Sequence, residues 1–314
     1  MSDTPHGPGD WGESAVGRPR IGFLGFGEVG SCFARDLTRA GALVRAYDTY
    51  WNTDATGSRI RQRAADAGVL LTEYPEALLH WANVLISVTS PVVALETARM
   101  VQADLREGHV YADFNSATPR VKQEIARVVS VRGCTFVDGG ILGSPRMEGH
   151  RAPIVVSGSP AAALASMLNG YGMQLTVIGS QPGQASALKV IRSIFTKGVE
   201  SVLLECLVAA HAFNIREPVF TSVIAFLESH PVAPLLNMLM TTHAVHAQRR
   251  AGEMAGVLEL LTEAGIDSIM TDATRRKLQW SADLHVRGAF PGEAPSHLSE
   301  VIEAVAQLSG SGRR

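Results

Sequence analysis

Gly22-Phe23-Leu24-Gly25-Phe26-Gly27-Glu28-Val29-Gly30 is the stretch on which the fold of this chain turns. Its glycines at 25, 27 and 30 follow G-x-G-x-x-G, the spacing at which a strand turns into a helix while the backbone closes on a pyrophosphate. Each glycine answers a separate steric demand. The first permits the tight turn, the second lets the backbone approach the phosphates, and the third lets helix pack on strand.

The flanks agree with that reading. Arg20 to Leu24 is a short apolar strand, and Val29, Phe33, Leu37 and Ala40 recur at helical spacing until Gly41 supplies a C-cap. A second strand, Leu43 to Tyr47, ends in Asp48, about 20 residues past the glycines, where a carboxylate accepts from the adenosine ribose hydroxyls. Its charge repels a 2′-phosphate, so NAD is favoured and NADP remains possible. Asp48 reads equally as a turn residue beside Thr49 and Thr53, with Arg45 or Arg59 left to receive a phosphate. The candidate cofactor contacts are thus Gly25, Phe26, Gly27, Glu28, Val29, Gly30 and Asp48, with Val88 and Thr89 at the end of a later strand.

At 314 residues, 46% of them hydrophobic and 18% charged, the chain is long enough for a well-buried core and two domains. A net charge of -2 gives no electrostatic footprint for nucleic acid or an anionic membrane. Cys32, Cys134 and Cys206 are odd in number and far apart, which argues against a disulfide framework or a zinc site and for reduced thiols in a cytoplasmic protein. The longest apolar run, Val202 to Phe213, contains Glu205 and His211 and is too short to span a bilayer. None of the ten histidines stands in H-E-x-x-H or another metal spacing, and there is no G-x-S-x-G elbow, so no metal site is expected.

From residue 20 to about 180, short apolar runs alternate with helical patterns: 43–47, 69–71, 84–88, 110–114, 135–137, 154–156 and 175–178. Such alternation predicts an α/β Rossmann-type doubly wound domain. After Gln181-Pro182-Gly183 only helical stretches follow, notably 184–213 and 241–264, which predict an all-α domain joined through a long interdomain helix. The expected divisions are a disordered lead-in at 1–18, a dinucleotide-binding domain at 19–182, an all-α substrate and dimerisation domain at 183–308, and a flexible tail at 309–314. The lead-in lacks the basic and apolar regions of a signal peptide.

Lysine is scarce, four residues against 24 arginines, and two of the four, Lys189 and Lys197, lie on the long helix. Arginine stays charged, whereas a buried lysine can exchange a proton near neutral pH. The helix opens Gly183-Gln-Ala-Ser-Ala-Leu-Lys189-Val-Ile-Arg192-Ser193 and resembles the β-hydroxyacid dehydrogenase superfamily, which includes 3-hydroxyisobutyrate dehydrogenase and 6-phosphogluconate dehydrogenase. Four blocks carry the resemblance over about residues 20 to 200. They are the glycine fingerprint; Asp113-Phe-Asn115-Ser116-Ala-Thr-Pro119 for D-x-S-T-x-x-P; Asp138-Gly-Gly-Ile-Leu142-Gly143-Ser144 in place of the D-x-x-V-S-G-G substrate loop; and the G-x-x-x-x-x-K-x-x-x-N helix. The resemblance implies Lys189 as the catalytic lysine, Ser193 beside it, Asn115 and Ser116 near the nicotinamide ribose, and a substrate loop at Leu142, Gly143 and Ser144.

Two departures bear on the substrate. Leu142 stands where the superfamily has a serine, leaving the backbone amides of Gly143 and Ser144 as carboxylate donors, and Ser193 replaces an asparagine. Thr196 occupies the position of the glutamate acid in 6-phosphogluconate dehydrogenases, which disfavours decarboxylation. Lys189, Arg192, Ser193, Thr196 and Glu200 share one helix face, and Arg192, Thr196 and Lys197 join the substrate-contact candidates. The run most resembles a 6-phosphogluconate-dehydrogenase-like branch with a divergent C-terminal domain, whose helix His246-x-x-Arg249-Arg250-x-x-Glu253-Met254 is either a binding element or a charged face. The expectation is an NAD(P)-dependent oxidoreductase moving hydride between nicotinamide and a small hydroxy or oxo acid, acting as a homodimer through the helical domain. Imine reduction on the same scaffold and a non-catalytic NAD(H)-binding regulator are the alternatives.

Overall fold

The computed structural model describes residues 18–310. The expected lead-in, apart from Arg18, and the last four residues of the expected tail lie outside the described residues. The chain forms two compact units, one ending at Ser193 and one beginning at Ile194.

The first unit alternates strand and helix: β1 (Arg20–Leu24), α1 (Glu28–Arg39), β2 (Leu43–Tyr47), α2 (Ala55–Ala67), β3 (Leu70–Leu71), α3 (Pro75–Trp81), β4 (Val84–Ser87), α4 (Ala94–Val101), β5 (Val110–Asp113), α5 (Pro119–Ser130), β6 (Thr135–Ile141), α6 (Pro145–Glu148), β7 (Pro153–Ser157), α7 (Ala161–Gly170) and β8 (Gln174–Gly179). The strands make one sheet in the order β3-β2-β1-β4-β5-β6-β7-β8. Only the β6–β7 pair is antiparallel. Strands β4 and β5 are buried along their whole length, which is why they read as unbroken apolar runs with no alternation. One core cluster takes Phe33 and Leu37 of α1, Ile60 of α2 and Leu164 of α7; a second takes Leu78 of α3, Ala98 of α4 and Ile125 of α5. Helices therefore cover both faces, and the sheet is doubly wound as expected.

The strand order reverses between β1 and β4, which are parallel neighbours, and this switch opens a crevice at the carboxyl ends of the strands, the ligand position of α/β sheets. β6 departs from the sequence reading. It runs to Ile141, so Asp138-Gly139-Gly140 is strand, and the turn begins only at Leu142. Gly139 and Gly140 mimic a loop in sequence because they are glycine for packing: a Cβ on Gly139 would lie 2.1 Å from the Phe114 ring.

The helix α8 (Gln184–Ala212) begins in the first unit and continues past Ser193. The second unit also holds α9 (Arg216–Glu228), α10 (Val232–Glu263), α11 (Ile269–Asp283) and α12 (Leu298–Leu308), with no strand among its described residues. α10 starts at Val232, ahead of the expected 241, because Pro234 sits in its first turn, where proline costs no backbone bond. Glu205, the charge inside the apolar run, accepts from the backbone N–H of Met270 and Thr271 at 2.7 and 2.8 Å and so caps α11 from α8. Among the described residues no single helix is long and apolar enough to cross a membrane.

Candidate functional site

The fingerprint turn is built on a left-handed glycine. Gly25 has φ +94° and donates to the Tyr47 carbonyl at 2.9 Å, tying the turn to β2. A Cβ on Gly30 would come within 2.3 Å of the Gly25 carbonyl oxygen, whereas one on Gly27 would meet no atom within 4 Å. That open space lies at the N-cap of α1, which has no side-chain cap among the described residues. Uncapped first-turn amides beside open space are what a dinucleotide phosphate requires, so the residues present fit such a group. Val88 and Thr89 close on the same turn: the Val88 carbonyl oxygen and Thr89 Cγ2 each lie 2.9 Å from where a Gly25 Cβ would be.

Two cofactor candidates play other parts. The Phe26 ring is buried in the core, and its N–H donates to Asp48 Oδ2 at 2.7 Å. The other oxygen of Asp48 accepts from the Tyr50 N–H at 3.0 Å. Asp48 is therefore a brace between the fingerprint and the turn after β2, with lone pairs remaining for a ribose. Arg45 lies 4.5 Å over the Trp81 ring, which engages it away from the role of phosphate receiver.

Lys189 stands in the second turn of α8 and its Nζ donates to Ser116 Oγ, just past the end of β5. Burial, and then the positive charge of Lys122, hold its amine below the usual lysine range. A Cβ on Gly140 would be 3.1 Å from the Ala185 carbonyl and 3.2 Å from Lys189 Cβ, so the glycine lets α8 approach β6. Asn115 is buried and braced: its Nδ2 donates to Ser87 Oγ at 3.0 Å and to Asp113 Oδ2 at 2.8 Å. Ser116 alone of that pair is exposed.

Sequence reading missed what lies beneath. Lys122, Asp113 and Asp138 are all fully buried, with Lys122 Nζ 2.7 Å from Asp113 Oδ1 and 3.2 Å from Asp138 Oδ1. The ammonium donates to the carbonyls of Asp113 at 2.5 Å and Gly139 at 3.1 Å, and Asp138 Oδ1 is met through the ion pair alone, with no hydrogen-bond partner among the described residues. Asp138 Oδ2 accepts from Gly183 N, Ser186 N and Ser186 Oγ at 2.9–3.0 Å, gripping the start of α8. Removing one charge from such a set costs about 3–5 kcal/mol, because the remaining charges stay buried. The signal was available: Lys122 shares the i, i+3, i+7 spacing of Ile125 and Val129, so a scarce lysine falls on the core face of α5.

The substrate-loop candidates are partly engaged. The Ser144 N–H donates to Glu148 Oε2 at 2.6 Å, so it is not open to a substrate carboxylate in this arrangement. Arg192 Nη1 donates to the Leu142 carbonyl at 3.0 Å. Ser193 Oγ donates to the Lys189 carbonyl at 3.0 Å, the back-bond of a helical serine, and thus offers lone pairs where a donor was expected. Thr196 and Lys197 are exposed in the second unit. Of the C-terminal candidates, Arg249 pairs with Glu253 and Arg250 donates to Thr242 Oγ1 at 2.9 Å; both bonds stay within α10.

A family model described as the NAD binding domain of 6-phosphogluconate dehydrogenase matches residues 20–179, from the first residue of β1 to the last of β8. The chain belongs to that family. Its NAD-binding domain carries the fingerprint, and a domain of unknown function (DUF1932) matches residues 210–281 in the helical unit. A solved conserved protein of unknown function, described as structurally similar to 3-hydroxyacid dehydrogenases, is 32% identical with a TM-score of 0.57, covering 86% of this chain and 99% of that one. Human (Homo sapiens) mitochondrial 3-hydroxyisobutyrate dehydrogenase is 24% identical over 134 residues, 41% of this chain and 38% of that enzyme. An imine reductase from Pseudomonas sp. shares the fold at a TM-score of 0.71 over 92% of this chain and all of that one, with 19% identity. The resemblance to β-hydroxyacid dehydrogenases read from the four blocks holds.

Proposed function

We propose that this member of the family is an NAD(P)-dependent oxidoreductase that transfers hydride between nicotinamide and a carbon bearing hydroxyl or carbonyl in a small hydroxy or oxo acid. The observation that carries the reading is the contact of Lys189 Nζ with Ser116 Oγ, on the segment that follows β5, in the domain that carries the fingerprint. The dinucleotide, held at Gly25 to Gly30, Val88 and Thr89, supplies or accepts the hydride when bound. In reduction the Lys189 ammonium gives a proton to the oxygen of the forming alcohol; in oxidation the neutral amine removes it. A lowered amine affinity for protons serves the second direction. Ser116 orients Nζ, and Arg192 can exchange the Leu142 carbonyl for a substrate carboxylate.

A second reading, imine reduction, is favoured by a specific observation. Leu142 offers no hydroxyl and the Ser144 amide is taken by Glu148, so the loop has lost two of the donors that would hold a substrate carboxylate. Absorbance of the nicotinamide, followed with NAD⁺ or NADP⁺ and β-hydroxy acids, and with NADH or NADPH and carbonyl acids or cyclic imines, separates the two. Turnover abolished by Lys189→Ala establishes the reaction class; cofactor binding without turnover points to the regulator.

The working form we propose is a homodimer formed through the helical unit. Helix α9 buries none of its residues in a single copy, and α8 exposes Ile194 and Phe195 at 77% and 59%. Exposed apolar faces of this kind mark association surfaces. Free thiols at Cys32, Cys134 and Cys206 support a reducing, cytoplasmic setting.

A further inference from the structure

We propose that Asp138, Lys122 and Asp113 form a sealed positioning cluster that fixes the first turns of α8, and with them Lys189, against the Ser116 end of β5. Lys122 links both strands. Its ammonium reaches the carboxylate and carbonyl of Asp113 on β5 and the Gly139 carbonyl on β6, with Asp138 Oδ1 at 3.2 Å. Asp138 then passes that fixation to α8 through Gly183 N, Ser186 N and Ser186 Oγ. Lys189 is three residues past Ser186, one helical step along the same face. On the strand side, Asp113 holds Asn115 by its backbone N–H and by its side-chain amide, immediately before Ser116.

Both partners of the Lys189–Ser116 contact are thereby anchored to one buried ammonium. The arrangement has an electrostatic counterpart. Among the charged groups on the elements packed around Lys189, Lys122 on α5 lies 2.7 Å from Asp113 Oδ1 on β5 and 3.2 Å from Asp138 Oδ1 on β6, and Arg192 on α8 is turned onto the Leu142 carbonyl. Lys122 adds to burial in lowering the proton affinity of Lys189. Lys122, Asp113 and Asp138 are positioning residues: Lys122 acts on a reaction only through Lys189.

The inference rests on Lys189 as the proton-exchanging group, and its test needs no reaction. The full chain labelled with ¹³C and ¹⁵N in lysine gives signals from four lysines, 122, 189, 197 and 277, and Lys189→Ala identifies that of Lys189. Its titration midpoint is compared among the unmodified chain, Lys122→Met and Ser186→Ala, with thermal unfolding read alongside. Loosening the first turn hydrates Lys189, and removing Lys122 removes a like charge; both raise the midpoint, by about 0.3 pH unit or more, while Lys197 and Lys277 stay in place. A smaller rise in the folded variants overturns the proposal, because a cluster that only stabilises the fold lowers the melting temperature without moving Lys189. Should Lys122→Met fail to fold, Ser186→Ala decides alone, since it removes one donor and keeps all three charges. Turnover unaffected by Lys189→Ala would remove the proton role and leave the titration result standing.

Discussion

Gly140 and Lys189 are packed so closely that a methyl group on the first would stand 3.2 Å from the Cβ of the second. Gly140→Ala therefore pushes on α8 at the turn that carries Lys189, the amine proposed to exchange the proton. The helix start is held by Asp138, so the strain is shared between β6 and α8. Overpacking of this kind costs about 1–2 kcal/mol, and small displacements of a reacting group depress rate disproportionately. The expected result is a modest fall in melting temperature with a larger fall in kcat; calorimetry with steady-state kinetics checks it.

Gly27 and Gly30 separate folding from cofactor binding. Gly30→Ala drives a methyl group against the Gly25 carbonyl at 2.3 Å and should lower the melting temperature. Gly27→Ala fills open space at the helix N-terminus and should leave stability unchanged while weakening dinucleotide binding about ten-fold or more. Titration of NADH fluorescence against both variants reads the contrast, and equal effects from the two would refute it.

Lys189 makes stability depend on pH in a definite direction. Its folded value lies below the ordinary 10.5, so between the two values the unfolded chain holds a proton that the folded chain has released. Stability consequently rises with pH across that window, and below it the half-buried ammonium is a constant cost. Lys189→Met should be more stable than the unmodified chain at neutral pH, with an advantage that shrinks as pH approaches 10.5. Denaturant unfolding at several pH values tests this, and turnover of the same variant should fall at least about 10²-fold.

Asp48 is charged and also ties two backbone amides. Asp48→Asn keeps one acceptor and removes the repulsion of a 2′-phosphate. Relative affinity should then move toward NADPH by about ten-fold, with both dinucleotides bound less firmly as the Phe26 and Tyr50 bonds weaken. Dissociation constants for NADH and NADPH measured side by side settle the sign.

The dinucleotide turn was legible because phosphate binding and close packing both demand glycine at fixed spacing, which no other residue satisfies. Strand alternation and helix period gave the two-unit order for the same reason: each follows from a buried face with its own repeat. β6 was read short, since Gly139 and Gly140 look like a turn until Phe114 and α8 are seen pressed against them. Partners distant in sequence were harder still. Nothing local to Asp138 announces Ser186, 48 residues away, and the carbonyls that hold Lys122 belong to the backbone, which carries no sequence signal. The short-range bonds of Ser193 to the Lys189 carbonyl and of Ser144 to Glu148 were not legible for a related reason, as residue type alone does not show which groups are engaged.

The rod of α8 is about 44 Å long and is cut by no break where one unit gives way to the next. The fingerprint, from Gly25 to Gly30, lies wholly in the first unit. A join at Ser193 would leave Lys189 four residues from a fraying end, where helix hydrogen bonds are weakest. The fingerprint turn thus depends on the first unit's own strands, whereas the setting of Lys189 depends on an unbroken helix.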